Sequence, residues 1–98
     1  MGVRIIGLIR LKDPAAFEQY RQRVGATVAL YQGVIAARSS IDKTYWNEPD
    51  GAGYSAFVEL EFPSAAAADQ WAASPEYQAI VPLRATAMDL TLVRLGEG

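Results

Sequence analysis

Cysteine and histidine are both absent from the 98 residues of this chain. Without cysteine, the chain has no disulfide bonds, no thiolate nucleophile and no cysteine ligand for zinc. Without histidine, it cannot carry out Ser-His-Asp or Cys-His catalysis and offers no histidine to a haem iron. These absences exclude many enzyme mechanisms and any ordinary zinc site, and we expect neither a metal nor a cofactor.

The chain also lacks an excess of positive charge and long apolar runs. Nine lysine and arginine residues stand against eleven aspartate and glutamate residues, which gives a net charge of −2. Non-specific nucleic-acid binding depends on basic side chains that neutralise phosphates, so a nucleic-acid partner is not expected. The longest apolar stretches fall well short of the roughly 20 residues of a membrane span, and the N-terminus lacks a signal-peptide cleavage site. We expect a cytoplasmic protein without a membrane partner.

Apolar residues, by contrast, make up 51% of the chain. A protein of 98 residues is long enough for one hydrophobic core and buries roughly two-thirds of the surface of its unfolded chain. Domains typically contain roughly 50 to 250 residues, so this length suits one domain. We therefore expect a single domain over residues 1–98.

Four segments have the composition of β-strands. They are rich in β-branched, aliphatic and aromatic residues, and turn formers or helical patterns separate them. The third segment has the clearest alternation, with its apolar side chains on one face. The predicted strands are 3–11, 34–45, 54–62 and 88–95, with a hairpin turn at 47–53.

Two helical regions lie between these strands. Asp13 and Pro14 have the features of an N-cap and a first helical residue, and apolar residues follow at helical spacing. Gly33 is expected to supply the left-handed residue that ends this helix. In the second region, Pro82 is expected to bend or interrupt the helix because proline lacks the backbone donor. The predicted helices are 14–31 and an alanine-rich stretch from Ser64 to 73, followed by a second piece that starts at Ser74.

The resulting order βαββαβ predicts an α+β protein with the ferredoxin-like fold. In that fold, a four-stranded antiparallel sheet has the strand order 4-1-3-2, and the helices cover one face. The alternation in strands one and three assigns the more apolar row of each strand to the covered face. The opposite rows, on the uncovered face, are Arg4, Ile6, Leu8 and Arg10 in strand one and Ser55, Phe57, Glu59 and Glu61 in strand three.

The uncovered face would expose apolar side chains near its centre. Ile6, Leu8 and Phe57 form this patch in the predicted sheet. Soluble oligomers are most often twofold dimers with self-complementary surfaces, so a second copy is the expected cover. The sequence therefore predicts a homodimer packed sheet to sheet. The mixed polarity of the face also suggests a pocket with apolar walls and a few charges at its rim.

Charged residues near this patch are the candidates for chemistry. Glu59 or Glu61, if partly desolvated, would act as a general acid or base. Arg10 or Arg38 would hold an anionic substrate or a developing enolate. Under the other interpretation, the carboxylates and arginines are ion pairs that flank the dimer contact, with Arg4 near Glu61 and Asp89 near Arg10.

Two aromatic residues complete the candidate site. Phe57 lies at the centre of the uncovered face, and Trp46, in the turn between strands two and three, would either cover a pocket or shield the end of the sheet. The expected ligand is a small organic molecule, with an anionic group as one option. Aromatic residues at helical spacing are expected in the core, namely Tyr20, Tyr31 and Trp71.

Several short motifs carry a resemblance to a known family. They are DPAAFEQYR at 13–21, EFPS at 61–64, SPEYQ at 74–78 and PLR at 82–84. In this order and spacing, over nearly the whole chain, they resemble the signatures of the bacterial domain-of-unknown-function family numbered 1330. The resemblance implies a ferredoxin-like fold of the dimeric α+β barrel superfamily, in which two sheets pack face to face.

The resemblance also implies a class of small enzymes, without catalytic residues that can be carried over. The superfamily includes cofactor-free monooxygenases, lactone isomerases, dehydratases, cyclases and haem-degrading enzymes, of which the haem branch is disfavoured here because histidine is absent. The sequence departs from the family pattern at Ser39 and Ser40, where relatives usually have a glycine pair. At Leu8, relatives often have a polar residue, which implies a drier pocket here.

The leading functional prediction is a dimeric, cofactor-free enzyme that acts on a small molecule. Its acid–base or enolate chemistry, of isomerase, cyclase or monooxygenase type, would take place in a pocket between the helices and the sheet. The alternative is a non-catalytic dimer that binds a metabolite or acts as an accessory protein. An RNA-recognition motif shares the βαββαβ order, but Tyr54 and Phe57 face opposite sides and two glutamates line the face that would meet phosphates.

Overall fold

The computed structural model describes residues 2–49 and 53–96, and four β-strands within them form one antiparallel sheet. The order across the sheet is β2-β3-β1-β4, which is the predicted 4-1-3-2 order read from the other edge. The α+β, ferredoxin-like prediction is confirmed. The strands are β1 (Val3–Leu11), β2 (Val34–Ser40), β3 (Ala56–Phe62) and β4 (Met88–Arg94).

Four helices of the described residues connect the strands and pack on one face of the sheet. In the described ranges, no helix is long and apolar enough to cross a membrane. The first helix follows β1, and the other three form a chain between β3 and β4. The helices are α1 (Pro14–Leu30), α2 (Ala65–Ala73), α3 (Pro75–Gln78) and α4 (Val81–Ala87).

Both ends of α1 are determined by local chemistry. The Asp13 carboxylate caps the helix by accepting hydrogen bonds from the backbone N–H groups of Ala15 and Ala16, at 3.0 and 3.1 Å. The helix ends at Leu30, and the left-handed residue that follows is Gln32, with a φ of 65°. The prediction that Gly33 adopts this conformation is therefore wrong. Glycine is needed at that position for a different reason, because a Cβ there would lie 2.6 Å from the Phe62 ring.

The second helical region is divided by a serine and then by a break before Pro82. Ser74 accepts a hydrogen bond from the Tyr77 N–H at 3.1 Å and donates one to the Trp71 carbonyl at 2.7 Å, which joins α2 to α3. The predicted bend at Pro82 is misplaced. The chain breaks between Gln78 and Val81, and Pro82 lies in the first turn of α4, where its missing N–H needs no partner.

The hydrophobic core lies between the helices and the covered face of the sheet. Trp71 is its most central side chain. Its ring centroid is 5.4 Å from that of Phe62 and 4.4 Å from that of Tyr77, and its indole N–H donates to Thr27 Oγ1 at 3.1 Å. The prediction that Trp71 and Tyr20 are core residues is confirmed, whereas Tyr31 is only half-buried.

The two faces of the sheet follow the predicted alternation. Ile5 and Ile9 are buried beneath the helices together with Leu60 and Phe62. The opposite face carries no helix, and its central side chains, Ile6, Leu8 and Phe57, are half-buried. The strand register places Arg4 opposite Glu61 and Arg10 opposite Asp89, as predicted. The carboxylate of Asp89 pairs with Lys12, at 3.7 Å.

Two strand boundaries differ from the sequence prediction. β2 ends at Ser40 instead of residue 45, because the chain leaves the sheet after a backbone hydrogen bond from Ile41 to Ser55, at 2.9 Å. β3 begins at Ala56 instead of residue 54, and the Tyr54 ring lies instead against the guanidinium of Arg10, at 5.1 Å. Part of the predicted turn, 50–52, lies outside the described residues.

An irregularity at Ala36 changes which side chains of β2 face the helices. Ile35 pairs with Leu60, and the register then shifts so that Ala37 pairs with Glu59 and Arg38 with Val58. In a regular strand, Ile35 and Arg38 would face opposite sides, because their positions differ by three. The extra residue of the bulge reverses this alternation. Arg38 consequently lies on the same face as Val58, beneath α1.

Candidate functional site

A cavity of about 470 Å³ lies between α1 and the sheet. All four strands contribute to its walls, and Trp71 of α2 also lines it. Most of the lining is apolar. The apolar residues that line the cavity are Ile9, Leu11, Phe17, Val24, Ile35, Ala56, Phe57, Val58, Leu60, Trp71, Met88, Leu90 and Leu92.

Two arginines and three serines line the mouth of this cavity. Arg38 comes from β2 and Arg21 from α1, and both are exposed. The guanidinium of Arg21 lies 3.8 Å from the carboxylate of Glu18, and Arg38 has no ion pair among the described residues. The described lining contains no carboxylate. The opening therefore carries positive charge next to an apolar interior. The serines are Ser39, Ser40 and Ser55.

Tyr20 is the buried polar residue of the cavity wall. It is 8% exposed, and its hydroxyl oxygen lies 2.9 Å from that of Tyr77. Arg84 Nη1 donates a hydrogen bond to the Tyr77 hydroxyl, also at 2.9 Å. Burial raises the pKa of Tyr20 well above its ordinary value, and the neighbouring Tyr77 adds to this effect. The phenol of Tyr20 therefore keeps its proton at neutral pH and beyond.

Tyr20 and Arg21 are site residues that were not predicted from the sequence, although α1 contains a signal that could have identified them. Phe17, Tyr20, Arg21 and Val24 follow the i, i+3, i+4, i+7 spacing of one helix face. A hydroxyl and a guanidinium on an otherwise apolar stripe indicate a polar requirement on that face. Aromatic residues at this spacing are usually core residues, and Tyr20 is both a core residue and part of the cavity wall.

The residues predicted for the site are divided between two places. Arg38 lies on the covered face and lines the cavity. Phe57 also borders the cavity, but strand alternation places its side chain on the open face. Glu59 and Glu61 project from the open face, where their strand neighbours are Ile6 and Arg4. The sheet thus separates these carboxylates from Arg38. Their catalytic role stays a prediction.

Arg10 and Trp46 belong to the end of the sheet near the β2–β3 connection. Arg10 Nε donates to the Gly53 carbonyl at 3.3 Å. Trp46 is 80% exposed, and its ring lies 6.3 Å from that of its neighbour Tyr45. Neither residue is among those that line the cavity. Their predicted part in ligand binding remains untested.

The open face of the sheet carries a second candidate surface. Ile6, Leu8 and Phe57 are half-buried at its centre, and Val93 is 48% exposed beside Ile6. We call these four residues the open-face patch. Elsewhere, the described ranges contain no group of three carboxylates placed to hold a metal ion. The cavity and the open-face patch are therefore the two surfaces that need a functional explanation.

Solved structures with the same fold include an enzyme and proteins of unknown function. A protein of unknown function from Rhodopseudomonas palustris, RPA0582, is 21% identical, with a TM-score of 0.80 over 98% of this chain and 82% of that one. SnoaB, a cofactor-independent oxygenase from Streptomyces nogalater, is 13% identical, with a TM-score of 0.68 over 99% of this chain and 93% of that one.

A dimeric ferredoxin-like protein of unknown function from Jannaschia sp. CCS1 is 12% identical, with a TM-score of 0.65 over 99% of this chain and all of that one. At identities this low, the structural similarity shows a common fold alone. No protein with a curated function matches this chain. The family model of a domain of unknown function, DUF1330, matches residues 3–96. The family signatures, the fold and this match agree, and the chain belongs to the DUF1330 family.

Proposed function

We propose that this protein is a homodimer that binds a small, mainly apolar organic acid in the cavity beneath α1 and acts on it without a cofactor. The observation that carries the proposal is the lining of the cavity, which combines apolar walls with Arg21 and Arg38 at the mouth. An apolar ligand body gains free energy by leaving water, and a guanidinium at the opening attracts a carboxylate. A cavity of about 470 Å³ lies within the range typical of small-molecule sites.

The cofactor-independent oxygenase SnoaB has the same fold and supports catalysis over simple binding. Enzymes of this kind need a site that excludes water and stabilises negative charge on the ligand. Apolar walls and arginines at the entrance meet both requirements. The alternative, a dimer that binds a metabolite without changing it, uses the same cavity and lacks turnover.

The homodimer is proposed from the open-face patch and from the dimeric Jannaschia protein of the same fold. A second copy of the sheet would cover the half-buried Ile6, Leu8 and Phe57. Packing of identical apolar patches about a twofold axis is the commonest way to remove such a surface from water. The dimer also determines the environment of Glu59 and Glu61, which project from the same face.

The sheet separates Glu59 and Glu61 from the cavity, so these residues are proposed as proton-transfer groups of a second site, between the two sheets of this dimer. General acid–base catalysis at this place requires that the partner sheet partly desolvates one of the two carboxylates. NMR titration of both side chains in the dimer tests the proposal. Ordinary pKa values for both would remove it and leave the cavity proposal unaffected.

Binding of anilinonaphthalene sulfonate, an aromatic anion with environment-dependent fluorescence, tests the cavity. We expect saturable binding to the protein and about fivefold to tenfold weaker binding to Arg38→Gln, because a charged hydrogen bond at the mouth is lost. Arg23→Gln is the matched control, since Arg23 is exposed on α1 and does not line the cavity. Equal weakening by both substitutions, or by neither, would contradict the proposal.

A further inference from the structure

Among the described residues that line the cavity, Tyr20 is the buried one that carries a hydroxyl. The three serines of the lining are exposed at the mouth. The indole N–H of Trp71, which also lines the cavity, is already used in its hydrogen bond to Thr27. The Tyr20 oxygen already shares a hydrogen bond with the Tyr77 hydroxyl. Which of the two tyrosines donates in that bond decides whether the Tyr20 proton is available to a ligand.

The hydrogen bonds of Tyr77 determine whether the Tyr20 proton is available to a ligand. Arg84 Nη1 can only donate, so the Tyr77 oxygen accepts from it. Tyr77 has one proton of its own, and its hydroxyl lies 2.9 Å from that of Tyr20. When Tyr77 donates this proton to the Tyr20 oxygen, the proton of Tyr20 is free to point elsewhere. A hydrogen-bond acceptor placed against Tyr20 would select this arrangement.

We infer that Tyr20 donates a hydrogen bond to a carbonyl oxygen of the cavity ligand, at the end of a directional chain from Arg84 through Tyr77. This inference rests on the proposed function and narrows the ligand class to apolar acids that also carry a ketone, quinone or similar carbonyl. Tyr20 is the group that touches the ligand. Tyr77 and Arg84 act through it and are positioning residues.

The chain is suited to hold negative charge that develops on the ligand oxygen. Hydrogen bonds in series polarise one another, and the guanidinium at the far end makes the terminal phenol a stronger donor. Such a donor stabilises an enolate more than the neutral carbonyl, which is the requirement for lowering the barrier to enolisation. The phenol needs to transfer no proton in this role, in agreement with the raised pKa that burial gives Tyr20.

A matched pair of probes tests the inference: para-acetylbenzoate and para-isopropylbenzoate, which have the same shape and charge and differ in the carbonyl oxygen. We expect Tyr20→Phe to lower the affinity for para-acetylbenzoate by about tenfold and to leave the affinity for para-isopropylbenzoate unchanged. The carbonyl carbon-13 resonance of bound para-acetylbenzoate should move downfield in the wild type and lose this shift in Tyr20→Phe.

Tyr31→Phe is the matched control, because the Tyr31 hydroxyl donates to Glu76 and Tyr31 does not line the cavity. Tyr77→Phe should reduce the downfield shift without abolishing it, a result that general loosening of the core would not give. If both probes bind and the carbonyl shift is absent in the wild type or unchanged in Tyr20→Phe, the inference fails and the proposed function stands. If neither probe binds the wild type, both fail.

Discussion

Glycine residues set local limits on the packing of this fold, and Gly33 is the clearest case. A Cβ at this position would lie 2.6 Å from Phe62 Cε1 and 2.8 Å from Val28 Cγ1. Phe62 and Val28 are among the three largest fully buried side chains, so neither has free space to move into. The residue immediately before β2 must therefore lack a side chain.

We predict that Gly33→Ala lowers the free energy of unfolding by about 1–3 kcal/mol, the usual cost of overpacking a core. Urea denaturation followed by circular dichroism measures the change. Gly25→Ala is the matched control, because a Cβ there meets only Ile35 Cδ1 at 3.8 Å. Alanine is the better helix former, so we expect this variant to be unchanged or more stable by up to about 1 kcal/mol. Equal destabilisation by both substitutions would contradict the explanation.

Ser74 joins α2 to α3 in the helical region between β3 and β4. Its side chain is 3% exposed, satisfies the carbonyl of Trp71 and caps the N–H of Tyr77. This joint holds the Tyr77 hydroxyl where Tyr20 and Arg84 can reach it. The geometry of the cavity wall thus depends on a turn between two short helices.

Replacement of Ser74 by alanine should lower the free energy of unfolding by about 1–2 kcal/mol, because the cap of α3 is lost and the Trp71 carbonyl keeps only the backbone N–H of residue 74 as a donor. Thermal or chemical unfolding gives this value. Ser64→Ala, which removes the exposed cap of α2, is the comparison and should cost about 1 kcal/mol or less. A larger effect at Ser64 than at Ser74 would show that the joint is unimportant.

At the scale of the whole molecule, the two faces of the sheet have different tasks. The covered face closes the core and provides the cavity, and the open face carries the open-face patch and the two glutamates. The proposed dimer uses the open face and leaves the mouth of the cavity, beneath α1, accessible. Binding and assembly can therefore be tested separately by substitutions on opposite sides of one sheet.

We predict that the wild type sediments as a dimer and that Leu8→Asp sediments as a monomer at micromolar concentration. A carboxylate at the centre of the patch would be buried without a partner in the dimer, which is strongly unfavourable. Leu30→Asp is the matched control, because Leu30 is 64% exposed at the end of α1, away from the open face. A monomeric wild type, or a Leu8→Asp variant that remains dimeric while folded, would refute the assignment.

Much of the fold followed from patterns that are local in the chain. The Asp13-Pro14 cap, the alternation in β1 and β3 and the row of half-buried side chains on the open face all appeared where the sequence placed them. The predictions that failed concern positions whose conformation depends on residues far away in the sequence. Gly33 is required by Phe62, and the end of β2 depends on a contact with Ser55.

The sequence by itself determined the order of strands and helices along the chain, the covered and open faces and the exclusion of cysteine and histidine chemistry, because side-chain periodicity and composition need no tertiary information. Tertiary structure alone decided the candidate site. The bulge at Ala36 turned Arg38 towards α1. The hydroxyls of Tyr20 and Tyr77, 57 positions apart in the chain, meet only when the helices pack. A cavity is the space that several elements leave between them, and no single segment encodes it.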